Sequence, residues 1–166
     1  PFVTRPNERV PDRAALGLAG PEASVDGVYL LRRPRGAGEG TIVLQESAAA
    51  YAFVEEALPL LERDGLDPWV YYVASAELFD LLPPERQAAI FPEARAQEAM
   101  GITGFTLPTM YRWIRSDLGR AHTLYPYREG HFLGSGQGPV VLAEAGLDGP
   151  SQYAAITTYL AARRRS

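Results

Sequence analysis

Cysteine is absent from the 166 residues, and so is lysine, because all 16 basic residues are arginine. The first absence excludes a disulfide framework, a thiolate metal site and a cysteine nucleophile. The second excludes Schiff-base chemistry on a lysine amine. Histidine is nearly absent: only His122 and His131 occur, so any imidazole acid, base or metal ligand is one of these two. Long apolar runs are missing too, since no stretch approaches the ~20 consecutive apolar residues of a membrane span. The first residues do not read as a secretory signal. A soluble chain with no membrane partner, located in the cytoplasm, is the expectation.

What is present is core material. A 46% hydrophobic share with 10% aromatics, spread over 166 residues, suffices for one domain, or one domain with a fragment of a neighbour. Charge is unevenly placed. Residues 1–38 carry six Arg against four acids, residues 39–162 seven Arg against sixteen acids, and Arg163, Arg164 and Arg165 close the chain. An acidic body is the wrong surface for a phosphate backbone, so nucleic acid is not an expected partner. The terminal arginines suit the negative end of a last helix.

A Pro/Gly/charge cluster from Arg33 to Gly40 divides the chain unequally. Before it, Val28–Leu31 is a short apolar run suited to a strand. After it, strand and helix alternate. Thr41–Leu44 and Trp69–Val73 read as buried strands, and Ala94–Met100 as a third. Ser47 is the expected N-cap of a helix reaching Asp64, with Tyr51, Val54, Leu58 and Leu61 on one face and Pro59 kinking or shortening it. Further helices are predicted near Glu77–Leu82, Pro84–Ile90, Pro108–Leu118, Pro139–Ala145 and Pro150–Arg164, and His122–Tyr125 as a short fourth strand of this part. Nearly continuous apolar strands between helices predict a three-layer α/β/α fold with a mostly parallel sheet of about five strands. Ligands of such sheets sit at the carboxyl ends of the strands, which points to the loops Gln45–Ser47, Ala74–Glu77 and Met100–Leu107.

Several segments resemble the C-terminal domain of transketolases, in order and spacing, over about residues 39–162. Ala74–Asp80 resembles the family's second strand running into a Trp-Glu-Leu-Phe-Asp stretch, with Ala76 in place of the Trp. Ala94–Ala99 resembles the third strand, often Arg-Val-Ala-Val-Glu-Ala. His131–Pro139 is similar to the family's Phe-Gly-x-Ser-x-Pro turn before its two closing helices. Upstream, Val3–Glu8 looks like the Arg-Pro-Ala-Asp segment near the end of the middle, pyrimidine-binding domain. The resemblance thus implies a remnant of that domain plus linker over residues 1–38 and a transketolase C-terminal-like domain over residues 39–166. On this reading Val28–Leu31 is the preceding domain's last strand and lacks its sheet partners. At the first strand-to-helix turn the family's Thr-Gly-Ser-Glu is replaced by Gln45-Glu46-Ser47-Ala48.

The resemblance implies a parent enzyme with thiamine diphosphate and Mg²⁺, homodimeric, transferring two-carbon ketol units between sugar phosphates. Its partners are the remaining domains of its own chain. Homodimeric pyruvate dehydrogenase E1-type enzymes share the domain plan and give an alternative parent, and a free-standing α/β small-anion-binding module is a third reading. The family holds its cofactor through a Gly-Asp-Gly motif and an activating glutamate. This chain has no Gly-Asp-Gly, so the expectation is a supporting, dimer-related or regulatory region without catalytic, cofactor-binding or metal-binding residues of its own. Two turns are candidate anion sites, Glu46 with Ser47, and Gly134, Ser135, Gly136 and Gln137, because helix starts gather N–H donors; each also reads simply as a cap or a chain reversal. His131 is the candidate functional histidine, with a loop histidine as the plainer reading.

Overall fold

The computed structural model describes residues 10–165. The Val3–Glu8 segment of the resemblance lies outside the described residues. Four strands form one sheet in the order β1-β3-β2-β4: β1 is Val28–Arg32, β2 Thr41–Gln45, β3 Trp69–Val73 and β4 Ala99–Thr103. β2 runs parallel to both neighbours, with Val43 opposite Tyr71 on one side and Gly101 on the other. β1 is antiparallel to β3, pairing Val28 with Val73 and Tyr29 with Tyr72. Val28–Leu31 therefore does not lack partners, and all of it except Leu30 is buried. The run was legible as a strand; its place in this sheet was not, because pairing with β3 spans more than forty residues of chain.

Strand alternation sends side chains to two covered faces. Ile42, Leu44, Val70 and Ile102 pack with Phe53, Leu58, Leu61, Ile156 and Tyr159 on one side. Val43, Tyr71, Val73 and Ala99 pack with Phe79, Phe91, Met110 and Trp113 on the other. The first face is covered by α1 (Ser47–Ala52), α2 (Leu58–Arg63), α6 (Asp117–His122) and α8 (Gly149–Arg163); the second by α3 (Ala76–Asp80), α4 (Pro84–Ile90) and α5 (Glu93–Gln97). A short α7 (Gly138–Glu144) precedes α8. This is the expected α/β/α architecture with one strand fewer.

Between α1 and α2 the helix widens to a π-turn over Phe53–Ala57. Pro59 causes this: it has no N–H, and its ring crowds the carbonyl of Glu55 four residues back, so the chain inserts a wider turn and continues.

Three local expectations are corrected. Ala94–Gln97 is helical, not strand, because Pro92 holds an extended N-cap (φ −64°, ψ 148°) ahead of Glu, Ala, Arg and Gln, all good helix formers. The strand begins at Ala99 instead. The long helix over Pro108–Leu118 is a single 3₁₀ turn, Leu107–Met110, followed by turns and then α6, which restarts where Ser116 Oγ accepts the Gly119 N–H at 3.1 Å. Met110, Trp113 and Ile114 are drawn onto the sheet there, each at most 2% exposed. Finally, His122 ends α6, and the strand expected around it shrinks to one parallel bridge, Leu124 with Ile102; Pro126, with no N–H, cannot extend a ladder.

Candidate functional site

The connections after β2 and β4 leave the sheet to opposite faces, which places the switch point of the topology between their carboxyl ends. Two of the three loops expected to carry function meet there. Gln45 Oε1 accepts hydrogen bonds from Thr103 Oγ1 at 3.0 Å and Thr109 Oγ1 at 2.8 Å. Thr103 Oγ1 also receives the Phe105 N–H at 3.0 Å. These partners lie some sixty residues apart in sequence, and neither Thr103 nor Thr109 was singled out by sequence reasoning; only the strand-end rule could have found them.

Glu46, next in the chain, has φ 82° and ψ 142°, a backbone region that favours glycine. Its carboxylate accepts from Ala48 N at 2.7 Å and Ala49 N at 3.1 Å, and from Ser47 Oγ at 3.2 Å. Ser47 is therefore not the cap: it is the first residue of α1, and Glu46 caps it. The carboxylate lies against Gly104, where an added Cβ would come within 2.8 Å of Glu46 Oε2. Two N–H donors of this helix start, Ala48 N and Ala49 N, are thus engaged by the chain's own anion. The third loop is closed as well. Ser75 Oγ accepts the Leu78 N–H and donates to Glu77 Oε2, while Ala74 N and Ser75 N both donate to Gly27 O.

Gly134, Ser135, Gly136 and Gln137 lie apart from this crevice, exposed in the loop before α7. Gly134 N donates to Glu144 Oε1 at 3.2 Å, again an internal carboxylate. The loop leads to Gly138 and Pro139, which face Ala48, Tyr51 and Glu55 across a groove of about 600 Å³. His131 is exposed in the same loop. His122 Nδ1 lies 2.9 Å from the Leu118 carbonyl, which only accepts, so that nitrogen carries the proton; its ring leans on Tyr159. The two histidines do not converge on a common site. Of the aromatic residues, Trp113 is buried edge-on against Phe79 and Phe91, and Trp69 is flanked by Arg95 and Arg33. Both are packing residues, as expected of core aromatics.

Ionic contacts concentrate at the opposite, amino end of the strands. Glu98 accepts from Arg163 Nη2 at 3.1 Å, from Arg95, and from Thr41 Oγ1 at 3.3 Å. Arg164 pairs with Glu39, so the last turn of α8 is tied beneath β2 and β4. Burial raises the Tyr159 phenol to about 12, partly offset by the Arg163 guanidinium beside it.

No protein-family model matches the chain, and neither does any curated protein. Solved structures do. Transketolase from Campylobacter jejuni superposes with a TM-score of 0.59 at 19% identity over 81% of this chain and 19% of its own. Transketolase from Leishmania mexicana gives 0.62 at 18% over 86% and 19%, and the Pichia stipitis enzyme 0.64 at 16% over 90% and 20%. The fold is that of a transketolase domain. The chain spans about a fifth of the length of the transketolases it matches. This agrees with the family resemblance read from the sequence. Ala94–Gln97, likened to a family strand, is helical here, and the strand begins at Ala99.

Proposed function

We propose that this chain is the C-terminal region of a transketolase-like, thiamine-diphosphate-dependent enzyme that transfers two-carbon ketol units between sugar phosphates. Within that parent it supports folding, homodimer geometry or regulation and holds no complete active site. The observation that carries this reading is the superposition of 81–90% of the chain on 19–20% of each transketolase. Residues 1–38 are proposed to continue from the preceding pyrimidine-binding domain, although β1 and, before it, Leu18 pack on the C-terminal sheet. A cytoplasmic location follows from the same reading; among the described residues no helix is long and apolar enough to cross a membrane.

Thiamine diphosphate with Mg²⁺ would supply the carbanion chemistry in the parent, but the residues here do not fit that group. Among the described residues no three His, Asp or Glu side chains gather to hold a metal ion. At the first turn the Glu46 carboxylate occupies Ala48 N and Ala49 N, where a diphosphate needs free donors, and at the second Glu144 takes the Gly134 N–H. The cofactor is therefore assigned to other domains of the parent.

Two measurements test the proposal. Mass spectrometry of the protein in its source cells should find these peptides within a chain several times longer. Calorimetric titration of the 166-residue chain with thiamine diphosphate and Mg²⁺ should give no saturable heat, and a ketol-transfer assay should match the blank. A native protein of this length, or micromolar cofactor binding lost in Glu46→Ala or His131→Ala, overturns it.

A further inference from the structure

A small cleft of about 100 Å³ opens between the segment 10–18, strands β1 and β3, and the helix that begins at Ser47. Its walls are largely apolar, including Leu18, Leu31 and Val54, and five residues with polar groups line it: Arg13, Tyr29, Ser47, Tyr51 and Tyr72. Arg13 is half-buried, and its Nη1 donates to the Tyr29 hydroxyl at 3.2 Å and to the Ala19 carbonyl at 3.3 Å. Both acceptors are neutral. Among the described residues Arg13 has no carboxylate partner, whereas Arg32, Arg35, Arg86, Arg95 and Arg112 each have one.

A guanidinium has five N–H donors in a planar fork matched to a carboxylate, and among the described residues those of Nε and Nη2 at Arg13 have no acceptor. Taking a cation partly out of water without a counter-charge is unfavourable, and an anion entering the cleft offsets that. Tyr29 and Tyr72 meet edge-on, with centroids 5.9 Å apart. Burial pushes the Tyr72 phenol above its ordinary value; Tyr29, Glu46 and Tyr51 push it the same way and Arg13 opposes, so these are the groups its hydroxyl senses. Glu46 is the carboxylate among them, and its oxygens are already engaged by Ala48 N and Ala49 N. The cleft therefore combines a cation with no carboxylate partner among the described residues, phenolic hydroxyls and an apolar floor, the composition of a small-molecule site.

We propose that this cleft binds a short-chain aliphatic carboxylate, its carboxylate held by Arg13 with the Tyr29 and Tyr72 hydroxyls and its apolar body against Leu18, Leu31 and Val54. The volume admits about three water-sized units, which suits a body of a few carbons. Inorganic phosphate fits poorly, since a dianion would meet a single cation and apolar walls.

The test is titration of the 166-residue chain with sodium isobutyrate, followed by NMR shifts of the Tyr29, Tyr72, Leu31 and Val54 resonances. Isobutyramide and inorganic phosphate serve as neutral and mineral-anion comparisons. Saturable shifts confined to the cleft are expected with isobutyrate, with isobutyramide weaker by roughly tenfold to a hundredfold, the worth of a charge-assisted hydrogen bond. Arg13→Gln should lose binding by a similar factor. Should that variant loosen the segment 10–18, Tyr72→Phe, which keeps the ring packing, should still weaken isobutyrate severalfold. The proposal is overturned if no cleft resonance saturates by about 50 mM, if isobutyramide or phosphate matches isobutyrate, or if Arg13→Gln binds as the parent does.

Discussion

Arg32 Nη1 donates to Asp67 Oδ1 at 2.7 Å, and the Arg32 side chain, on the edge strand β1, is only 4% exposed. The pair joins the first strand to the loop before β3. Arg32 also reaches Glu62 at 3.2 Å, and Asp67 Oδ2 receives the Arg35 N–H at 2.7 Å and the Gly36 N–H at 3.2 Å. One carboxylate thereby organises the Pro/Gly-rich connection from β1 to β2. Burial tends to raise the Asp67 carboxyl, but the hydrogen bonds from Arg32, Gly36 and Arg35 outweigh it and hold it below the usual carboxylate value.

Asp67→Asn should therefore destabilise the fold by about 1–3 kcal/mol, the worth of a charged hydrogen bond. Because the folded-state value is depressed, this stabilisation is present above the ordinary carboxylate range and is lost as pH falls through the folded value. Urea unfolding between pH 7 and pH 3 should show a smaller acid dependence in Asp67→Asn than in the parent chain.

Glu46 combines two opposing effects, an unfavourable positive φ and a cap on α1. Glu46→Ala keeps the first and removes the second, so it should cost about 1–2 kcal/mol. Glu46→Gly relieves the backbone as it loses the cap and should stay within about 1 kcal/mol of the parent. Thermal unfolding of the two variants checks the order; a glycine variant less stable than the alanine variant would contradict the backbone conformation described.

Gly119 of α6 sits over β4 with no room for a side chain: a Cβ there would lie 1.8 Å from the Ala99 carbonyl oxygen and 2.8 Å from Ile114 Cγ2. Backbone cannot give way as a flexible side chain can. Gly119→Ala should cost on the order of 3 kcal/mol through displacement of α6, despite alanine's better helix propensity. Denaturant melts measure this directly.

Tyr159 supplies a prediction at the alkaline end. Its phenol is raised to about 12 in the fold against an ordinary value near 10. The stabilisation is complete below about pH 10 and is lost as pH rises from there towards 12, because only the unfolded chain ionises readily in that window. Tyr159→Phe should flatten the fall in stability across that window, as read from chemical denaturation at successive pH values.

The amino-acid order by itself determined the elements whose causes are local. Thr41–Leu44 and Trp69–Val73 are strands because continuous β-branched and aromatic residues fit a sheet buried on both faces. Pro84, Pro139 and Pro150 open helices because a first-turn residue needs no N–H donor, and the parallel α/β class follows from their alternation. Pro59 announced a disturbance in its helix, though not that it would take the form of a π-turn. The candidate turns were legible, their occupancy was not: that Glu46 and Glu144 would place carboxylates on their own backbone donors depends on where a side chain folds back. Only the tertiary structure decided that β1 joins the sheet antiparallel to β3, that Gln45 is bonded by Thr103 and Thr109, and that Arg13 lines a largely apolar cleft with no carboxylate partner among the described residues. Each of these joins residues distant in sequence, so it is set by which surfaces the packed layers bring together, and no local propensity records that.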